Sequence, residues 1–343
     1  MKNTLKTIVL LSTALLTAWA CSDWTRQEPL GFRYQTIQEK NPGLYEQYLE
    51  SIRQYHSTEH PVLIAKIDNP ARAASVCAER LDCLPDSVDM VVLNNSSNIH
   101  FSTIDEAKTI RETKGIRTLA YISLENLVSE YRGLCEEDGE EYSHSDCIDW
   151  VESHTREFIH NVRNLDLDGV VFSYKGRSVI PLGATEKAQY IELQNTFFEF
   201  AAAYKESHAA KTFIFEGTPK YVTEDEYGIL ELADYIIFPT EAATGIPSFS
   251  FLVENDIDST TPAGKFIISA HAIDDPDELS TEGIFSDGTS AIRGAALWVN
   301  RPSEKYEKAG LCVNHAQRDY YGLEKNYADI RYAISVMNPS PLK

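Results

Sequence analysis

Short apolar segments of strand length alternate with longer segments of helical periodicity along most of the chain. The short segments are rich in Val, Ile, Phe and Tyr, the residues favoured in strands. The pattern predicts eight strands, over residues 61–68, 88–95, 116–125, 168–175, 211–217, 233–241, 265–271 and 293–300. It predicts helices over residues 71–82, 103–114, 147–164, 186–208 and 315–336, and an amphipathic helix carrying Tyr45, Leu49, Ile52 and Tyr55 before the first strand.

Eight strands, each followed by a helical or irregular crossover, are what a (β/α)8 barrel requires. A doubly wound open sheet is the competing architecture, but the first strand is not followed by a Gly-rich phosphate loop. With 343 residues, the chain is long enough for a barrel of about 250 residues and its insertions. We therefore expect an α/β protein with a single (β/α)8 TIM barrel domain over residues 36–343, which includes an N-terminal helical extension.

The amino terminus has the pattern of an export signal, in which two lysines precede an apolar run over residues 8–16. Ala18-Trp19-Ala20-Cys21 then resembles a bacterial lipobox. The resemblance implies a signal peptide over residues 1–20, lipidation of Cys21 and a lipid-anchored tether over residues 21–35. An ordinary signal peptide or a short membrane anchor is the alternative, but the apolar run is short for a bilayer. We expect an outer-membrane lipoprotein at the surface of a Gram-negative bacterium, held to the membrane through its lipid only.

The charge balance limits the classes of ligand. The chain has 52 acidic and 31 basic residues, which gives a formal net charge of −21. Such a surface repels nucleic acid and anionic membranes, so neither is an expected partner. A neutral ligand such as a carbohydrate is compatible with this charge.

Five cysteines follow Cys21, and an exported protein is permitted disulfides. Cys135 and Cys147 bracket an acidic, helix-poor stretch, and we predict that they pair. Cys77 and Cys83 form a weaker second pair because they lie in an apparently helical segment, which leaves Cys312 as a buried thiol. Without a CxxC motif and with scattered histidines, the sequence predicts no metal site and no cofactor.

The segment Leu165–Lys175, LDLDGVVFSYK, carries the most specific signal in the chain. Strand alternation places Val171, Ser173 and Lys175 on one face. The segment resembles the signature of glycoside hydrolase family 18, Asp-Gly-x-Asp-x-Asp-aromatic-Glu, which ends the fourth strand of that family's barrel. Aligned on Asp168 and Gly169, the motif's second Asp becomes Val171, its third Asp becomes Ser173 and its Glu becomes Lys175. Alone, the segment is equally compatible with an ordinary parallel strand entered through an Asp-Gly turn.

The resemblance implies a lost reaction. In the family, the acetamido oxygen of the sugar attacks the anomeric carbon, an Asp orients that group, and a Glu protonates the leaving oxygen. General-acid help alone is worth roughly 10²–10⁴-fold. A lysine ammonium is a poor proton donor to a glycosidic oxygen, and a serine cannot supply the stabilising negative charge. We therefore expect no catalytic residues.

Two further predicted strands share some residues with the family's strands and differ from them at others. The sixth is similar to a family strand that begins Asp-Tyr; Asp234 and Tyr235 are retained, whereas Glu241 stands where the acetamido-binding Tyr would be. The predicted eighth strand ends near Trp298, and the family closes its barrel with a tryptophan under the sugar. Trp298 is thus expected to stack on a sugar, with the core as the alternative.

Residues at the carboxyl ends of barrel strands form the site of this fold. The glycan-binding candidates are Asp68, Asn94, Glu125, Ser173, Lys175, Glu216, Glu241, His271, Trp298 and Asn300. Each has a structural alternative as a helix cap or a core residue. We expect Lys175 to form an ion pair with Glu216 or Glu241.

Three functions fit these observations. The first is a non-catalytic surface lipoprotein that binds an N-acetylglucosamine-containing glycan, such as an N-glycan, similar to the surface glycan-binding proteins of gut Bacteroidetes. Its partners would be an outer-membrane glycan importer and endoglycosidases of the same system. The second is an active endo-β-N-acetylglucosaminidase with relocated carboxylates at Glu125, Glu216 and Glu241. The third is a structural barrel that contacts partner proteins through the acidic loop 133–147.

Overall fold

The computed structural model describes residues 36–273, 282–322 and 325–339. The predicted signal peptide, Cys21 and the tether lie outside these ranges. The chain divides into a first unit that ends at Tyr48 and a second that begins at Leu49. In the first unit, Thr36 caps the short helix α1, Ile37–Lys40, through a reciprocal capping box with Glu39. The predicted amphipathic helix is present as α2, Pro42–Ser57.

Eight parallel strands close into a barrel in the second unit, each paired with the next along the chain and the last paired with the first. This confirms the predicted (β/α)8 barrel. The strands are β1 Val62–Ile67, β2 Met90–Leu93, β3 Arg117–Ser123, β4 Gly169–Tyr174, β5 Thr212–Gly217, β6 Tyr235–Phe238, β7 Phe266–His271 and β8 Lys308–Asn314.

Helices connect the strands on the outside of the barrel, as the crossover rule for parallel strands requires. They are α3 Phe101–Lys114, α4 Leu124–Asp138, α5 His144–Asn164, α6 Ala184–Ser207, α7 Ile229–Leu232, α8 Ile246–Asp256, α9 Ala291–Val299 and α10 Ala328–Met337. Among the described residues, no helix is both long and apolar enough to cross a bilayer.

The core has two layers separated by the barrel wall. Val171 belongs to the inner cluster that fills the lumen, whereas Phe172 belongs to the outer cluster between strands and helices. The predicted alternation of the fourth strand is therefore confirmed. Other strands fill the lumen in the same way, with Val62, Ile64, Met90, Val92, Leu119, Ile214, Ile237, Ile267 and Cys312.

The Asp-Gly pair fixes the start of the fourth strand. The Asp168 carboxylate accepts hydrogen bonds from the Thr118 backbone N–H and from Arg111, both at 2.9 Å. A Cβ on Gly169 would lie 2.2 Å from the carbonyl oxygen of Thr212, so only glycine fits. This half of the motif is structural in the present chain.

The eighth strand lies later in the chain than predicted. Residues 293–300 belong to helix α9, and β8 is Lys308–Asn314. An apolar run of this length fits a buried strand or a buried helix equally well, so periodicity could not separate them. The remaining seven strand predictions correspond to β1–β7.

Three other predictions were wrong in detail. Residues 71–82 contain two 3₁₀ turns, Cys77–Glu79 and Leu81–Cys83, in place of a helix. The predicted helix 315–336 begins as a 3₁₀ segment, Ala316–Tyr321, before α10. The predicted loop 133–147 is mostly helical, because α4 continues to a left-handed Gly139 and α5 begins after its Ser143 cap.

The predicted disulfide between Cys135 and Cys147 was also wrong. Both are buried free thiols, and Cys77, Cys83 and Cys312 are free as well. Cys135 lies in α4 and Cys147 in α5, where each thiol interacts with a tyrosine hydroxyl, Tyr131 and Tyr142 respectively. The two cysteines are thus packed as helix residues and do not close a loop.

Candidate functional site

An ion pair between Lys66 of β1 and Glu216 of β5 lies at the carboxyl-terminal end of the lumen. The Lys66 ammonium donates to both Glu216 oxygens, at 2.9 and 2.7 Å, and the side chains are only 8% and 13% exposed. Lys66 Nζ also lies 4.1 Å from the centre of the Tyr121 ring, a cation–π distance. Burial opposes the charged ammonium, but the Glu216 carboxylate outweighs it and raises the pKa of Lys66.

The fourth strand contributes a serine to this pair. Ser173 is fully buried, and its hydroxyl donates to Glu216 at 3.4 Å. Ser173 and Ser123 hydrogen-bond to the Tyr121 hydroxyl, while burial and the Glu216 charge raise the pKa of that phenol. The inner face of β4 therefore contributes a hydrogen bond to the Lys66–Glu216 ion pair.

Glu241 lies on the other side of the mouth. Its Oε1 accepts hydrogen bonds from Ser269 Oγ, at 2.8 Å, and from Asn314 Nδ2. The neighbouring His271 is half-buried; burial lowers its pKa, although the Glu241 charge acts in the opposite direction. These contacts place the predicted Glu241 and His271 together at the ends of β6 and β7.

A third group surrounds Asp68, directly after β1. Its carboxylate accepts hydrogen bonds from Asn94 at 2.8 Å, Gln317 at 2.6 Å and His315 at 2.5 Å. Burial acts against the charge, but these donors hold the pKa of Asp68 well below its usual range. The His315 ring stacks on His271, with centroids 5.4 Å apart, so this group adjoins Glu241.

A cavity of about 200 Å³, with both polar and apolar side chains in its lining, opens beside the Asp68 group. Its lining includes Asn94, Tyr121, Asn126, Glu130 and His154. Asn94 Oδ1 is buried without a hydrogen-bond partner among the described residues. A buried acceptor without a donor is unfavourable, so Asn94 Oδ1 is an unsatisfied acceptor on a residue that lines the cavity.

Glu125 and Lys175 lie at the mouth, but in roles that differ from those predicted. Glu125 accepts a hydrogen bond from the Gly176 N–H at 3.0 Å and one from Ser123 Oγ at 3.3 Å, and so fixes the loop after β4. Lys175 follows the last residue of β4 and is exposed. It makes no ion pair within the described ranges, so the predicted pair with Glu216 or Glu241 was wrong; Lys66 holds Glu216 instead.

Trp298 and Asn300 do not lie at a strand end. Trp298 belongs to α9 on the outside of the barrel, is 1% exposed, and donates from its indole N–H to Ser250 Oγ at 2.8 Å. Asn300 ends this helix and donates to the Val336 carbonyl. Both predictions failed because the eighth strand was misplaced, and a buried Trp298 has no face for a sugar.

Sequence reasoning missed several residues of the mouth for the same reason. Asn314 ends the true eighth strand, and His315 and Gln317 follow it. Lys66 was missed for a different reason, because it was read as part of an apolar strand. The sequence did contain a signal for Lys66, because it lies in the apolar strand VLIAKI and a buried lysine needs a partner of opposite charge.

Comparison with known proteins decides the family. Residues 25–336 match the sequence profile of glycoside hydrolase family 18, BT1044-like. The chain belongs to this family. No curated protein matches it. We align Val171, Ser173 and Lys175 with three carboxylates of the family's motif; Val171 faces the lumen, and Ser173 hydrogen-bonds to Glu216.

Solved structures share the fold at low sequence identity. A structure of BT1044, in which one glutamate is replaced by glutamine, is 19% identical with a TM-score of 0.59, over 89% of this chain and 96% of that one. An endo-β-N-acetylglucosaminidase from Cordyceps militaris is 14% identical with a TM-score of 0.60, over 85% and 96%. A family 18 chitinase from Pseudoalteromonas aurantia is 11% identical with a TM-score of 0.52, over 80% and 99%.

Proposed function

We propose that this family 18 chain binds a glycan containing N-acetylglucosamine and does not hydrolyse it. The observation that carries the proposal is the Lys66–Glu216 ion pair, which lies beneath the mouth beside Ser173. The positions that supply the family's acid and its supporting carboxylate hold Lys175 and Ser173 instead. Binding does not require groups that act only in a transition state, so a site can lose these and keep its ligand.

The other carboxylates at the mouth are already engaged. A proton on Glu216 would displace one of two hydrogen bonds from the Lys66 ammonium. Glu125 is held by the loop that it fixes, through Gly176 and Ser123. Glu241 accepts from Ser269 and Asn314. A general acid must present a proton to the leaving oxygen, and none of these contacts favours that role.

The mouth retains groups suited to a neutral sugar. Amide, imidazole and carboxylate side chains around Asp68 offer donors and acceptors, and Asn94 Oδ1 has an unused acceptor site within the described structure. A sugar hydroxyl can donate to such an oxygen and accept from a neighbouring amide. The N-acetylglucosamine class rests on family membership, which supplies an analogy for the ligand.

The lipobox supports the proposed cellular location, and the resemblance to surface glycan-binding proteins supports the proposed partners. We infer a lipoprotein anchored through Cys21 in the outer membrane and facing the exterior. There it would hold glycans for an importer and for endoglycosidases of the same system.

Isothermal titration of the mature chain with N-glycans, chitooligosaccharides and mucin glycans tests the proposal. We expect saturable binding to at least one class, with Asn94→Ala and His315→Gln weakening it at least tenfold. Asn164→Ala is the matched control, because Asn164 is exposed at the end of α5 and hydrogen-bonds only to His160 among the described residues. Absence of binding to all three classes would refute the proposal.

Different experimental results would establish two other functions. Release of oligosaccharide from a glycoprotein, abolished by Glu216→Gln or Glu241→Gln, would establish an active endoglycosidase. Co-purification with an outer-membrane complex, without glycan binding, would establish a structural barrel.

A further inference from the structure

Two histidines and an aspartate meet at the opposite, amino-terminal end of the strands. His56 lies in the last turn of α2, His60 lies shortly before β1, and Asp89 immediately precedes β2. The His56, His60 and Asp89 side chains are only 6%, 10% and 3% exposed. One ligand atom from each lies within 4.8 Å of the other two. None of these residues contributes to the site at the mouth.

Every ring nitrogen in this cluster faces an oxygen atom. His56 Nε2 lies 2.9 Å from the Asp86 carbonyl oxygen, and His60 Nδ1 lies 2.7 Å from that of Thr58. The other two nitrogens, His56 Nδ1 and His60 Nε2, lie 3.0 and 2.8 Å from the same atom, Asp89 Oδ1. The second Asp89 oxygen accepts from the Leu63 backbone N–H at 2.8 Å.

The two backbone carbonyls define the tautomers. A carbonyl oxygen can only accept, so His56 Nε2 and His60 Nδ1 must carry hydrogens. In neutral imidazoles, the nitrogens that face Asp89 then hold lone pairs. The lone pairs of His56 Nδ1 and His60 Nε2 would then face Asp89 Oδ1 with no hydrogen between them. Because these electron-rich atoms repel one another, the arrangement requires a positive charge between them.

We propose that His56, His60 and Asp89 bind a zinc ion. Two imidazole nitrogens and one carboxylate are a ligand set of zinc sites with three protein ligands and a water. Metal-bound histidines usually donate their second N–H to a backbone carbonyl or a carboxylate, as both do here. Calcium and magnesium prefer oxygen ligands, so they fit this set poorly.

Two of the three separations between ligand atoms require only a small adjustment, and the third is at most 4.8 Å. Zinc bonds of about 2.0–2.2 Å at tetrahedral angles separate neighbouring ligand atoms by about 3.3 Å. The present separations of 3.0 and 2.8 Å would have to open by about 0.3–0.5 Å. His60 also lines a cavity of about 690 Å³ at this end of the barrel, which brings solvent to one of the three ligands.

The proposed zinc site revises the expectation from the sequence. The His-x-x-x-His spacing of His56 and His60 was present, but Asp89 follows 29 residues after His60 and only the fold brings it close. The ion would join the end of α2 to the starts of β1 and β2. Its expected role is to stabilise this end of the barrel.

Zinc titration of the untagged mature chain, after chelator treatment at pH 7.5, tests the proposal. We expect one tightly bound zinc per chain, a rise of several degrees in Tm, and an X-ray absorption spectrum with nitrogen and oxygen neighbours at about 2.0–2.1 Å and no sulfur at about 2.3 Å. His60→Gln and Asp89→Asn should each weaken binding at least 100-fold. His160→Gln and Cys77→Ser should bind as the parent does.

Three results would overturn the proposal. They are no stoichiometric zinc binding by the parent chain, undiminished binding by folded His60→Gln, and a sulfur neighbour in the absorption spectrum. Because the spectrum is recorded on the parent chain, it decides the question even if a variant fails to fold. The first result would mean that protons, and not a metal, supply the positive charge.

Discussion

Lys66 Nζ lies 2.9 and 2.7 Å from the two carboxylate oxygens of Glu216. Their strands, β1 and β5, stand four places apart in a ring of eight, so the ion pair spans the lumen. Ser173 of β4, which we align with a carboxylate of the family's motif, hydrogen-bonds to the same glutamate. The pair therefore links the altered motif to the opposite wall of the barrel.

Removing one member of this pair should destabilise the barrel strongly. Lys66→Met leaves the Glu216 carboxylate buried without its partner, and Glu216→Leu leaves the Lys66 ammonium buried without its partner. We expect each to lower the free energy of unfolding by about 3–5 kcal/mol, and the double variant to lose less than the sum. Urea denaturation measures these values.

An exposed ion pair provides the control for this experiment. Lys187 and Glu224 lie 2.7 Å apart, with 39% and 61% of their side chains exposed. Lys187→Met should change stability by at most about 1 kcal/mol. If Lys66→Met changed the free energy of unfolding as little as Lys187→Met, the Lys66–Glu216 pair would not stabilise the barrel.

Restoring one acid should not restore hydrolysis. Lys175→Glu returns a carboxyl to the family's acid position, but Val171 and Ser173 still lack carboxylates and Glu241 still replaces the acetamido-binding tyrosine. We expect no release of sugar from a chitooligosaccharide or an N-glycopeptide, measured by mass spectrometry. Turnover by Lys175→Glu would show that only the acid is missing.

Trp298 should matter for stability and not for binding. Its ring packs on Phe249 and Tyr306, and Lys308 Nζ lies 3.8 Å from the ring centre. Trp298→Ala should lower stability by about 3–5 kcal/mol and leave glycan affinity within twofold, with Trp298→Phe milder. Titration calorimetry at a temperature where the variant is folded checks this, and a tenfold loss of affinity in Trp298→Phe would contradict the placement of Trp298.

Asp319 should make stability depend on pH in the acidic range. Burial raises its pKa to about 6, although the Ile330 and Asp329 N–H groups donate to it. Between the unfolded value near 4 and the folded value, the native state binds the extra proton, so this group's contribution to stability falls as pH rises through this range. The loss is at most about 3 kcal/mol.

Comparison with Asp319→Asn isolates the contribution of Asp319 protonation to the pH dependence of stability. We expect the variant to lose less stability than the parent between pH 4 and pH 6.5 in urea denaturation. Arg293 and Asp329 also influence Asp319, but both remain in the variant. If the free energy of unfolding changed equally with pH in the two proteins, Asp319 would be excluded as the source of this pH dependence.

The sequence predicted the barrel because seven strands have a pattern that few other folds share. Lumen positions such as Val171 and Ser173 followed from strand alternation and were found where expected. The eighth strand failed because RGAALWVN and KAGLCVN are both short apolar runs, and only packing distinguishes the helix from the strand.

The candidate site was only partly predictable for a related reason. Asp68, Asn94, Glu216, Glu241 and His271 lie at strand ends, as the barrel rule requires. The partner of Glu216 could not be derived, because strand order alone does not show which side chains reach across the lumen. Lys175 was the expected partner from its neighbouring strand, but it points to solvent beyond β4, and the lysine four strands away takes that place.

We propose that this member of family 18 holds a glycan and leaves it intact. The most direct measurement is mass spectrometry of an N-glycopeptide incubated with the immobilised mature chain, washed and then eluted. We predict that the glycopeptide is retained and recovered at its original mass. Recovery of the peptide with a single N-acetylglucosamine, together with free oligosaccharide, would contradict the claim.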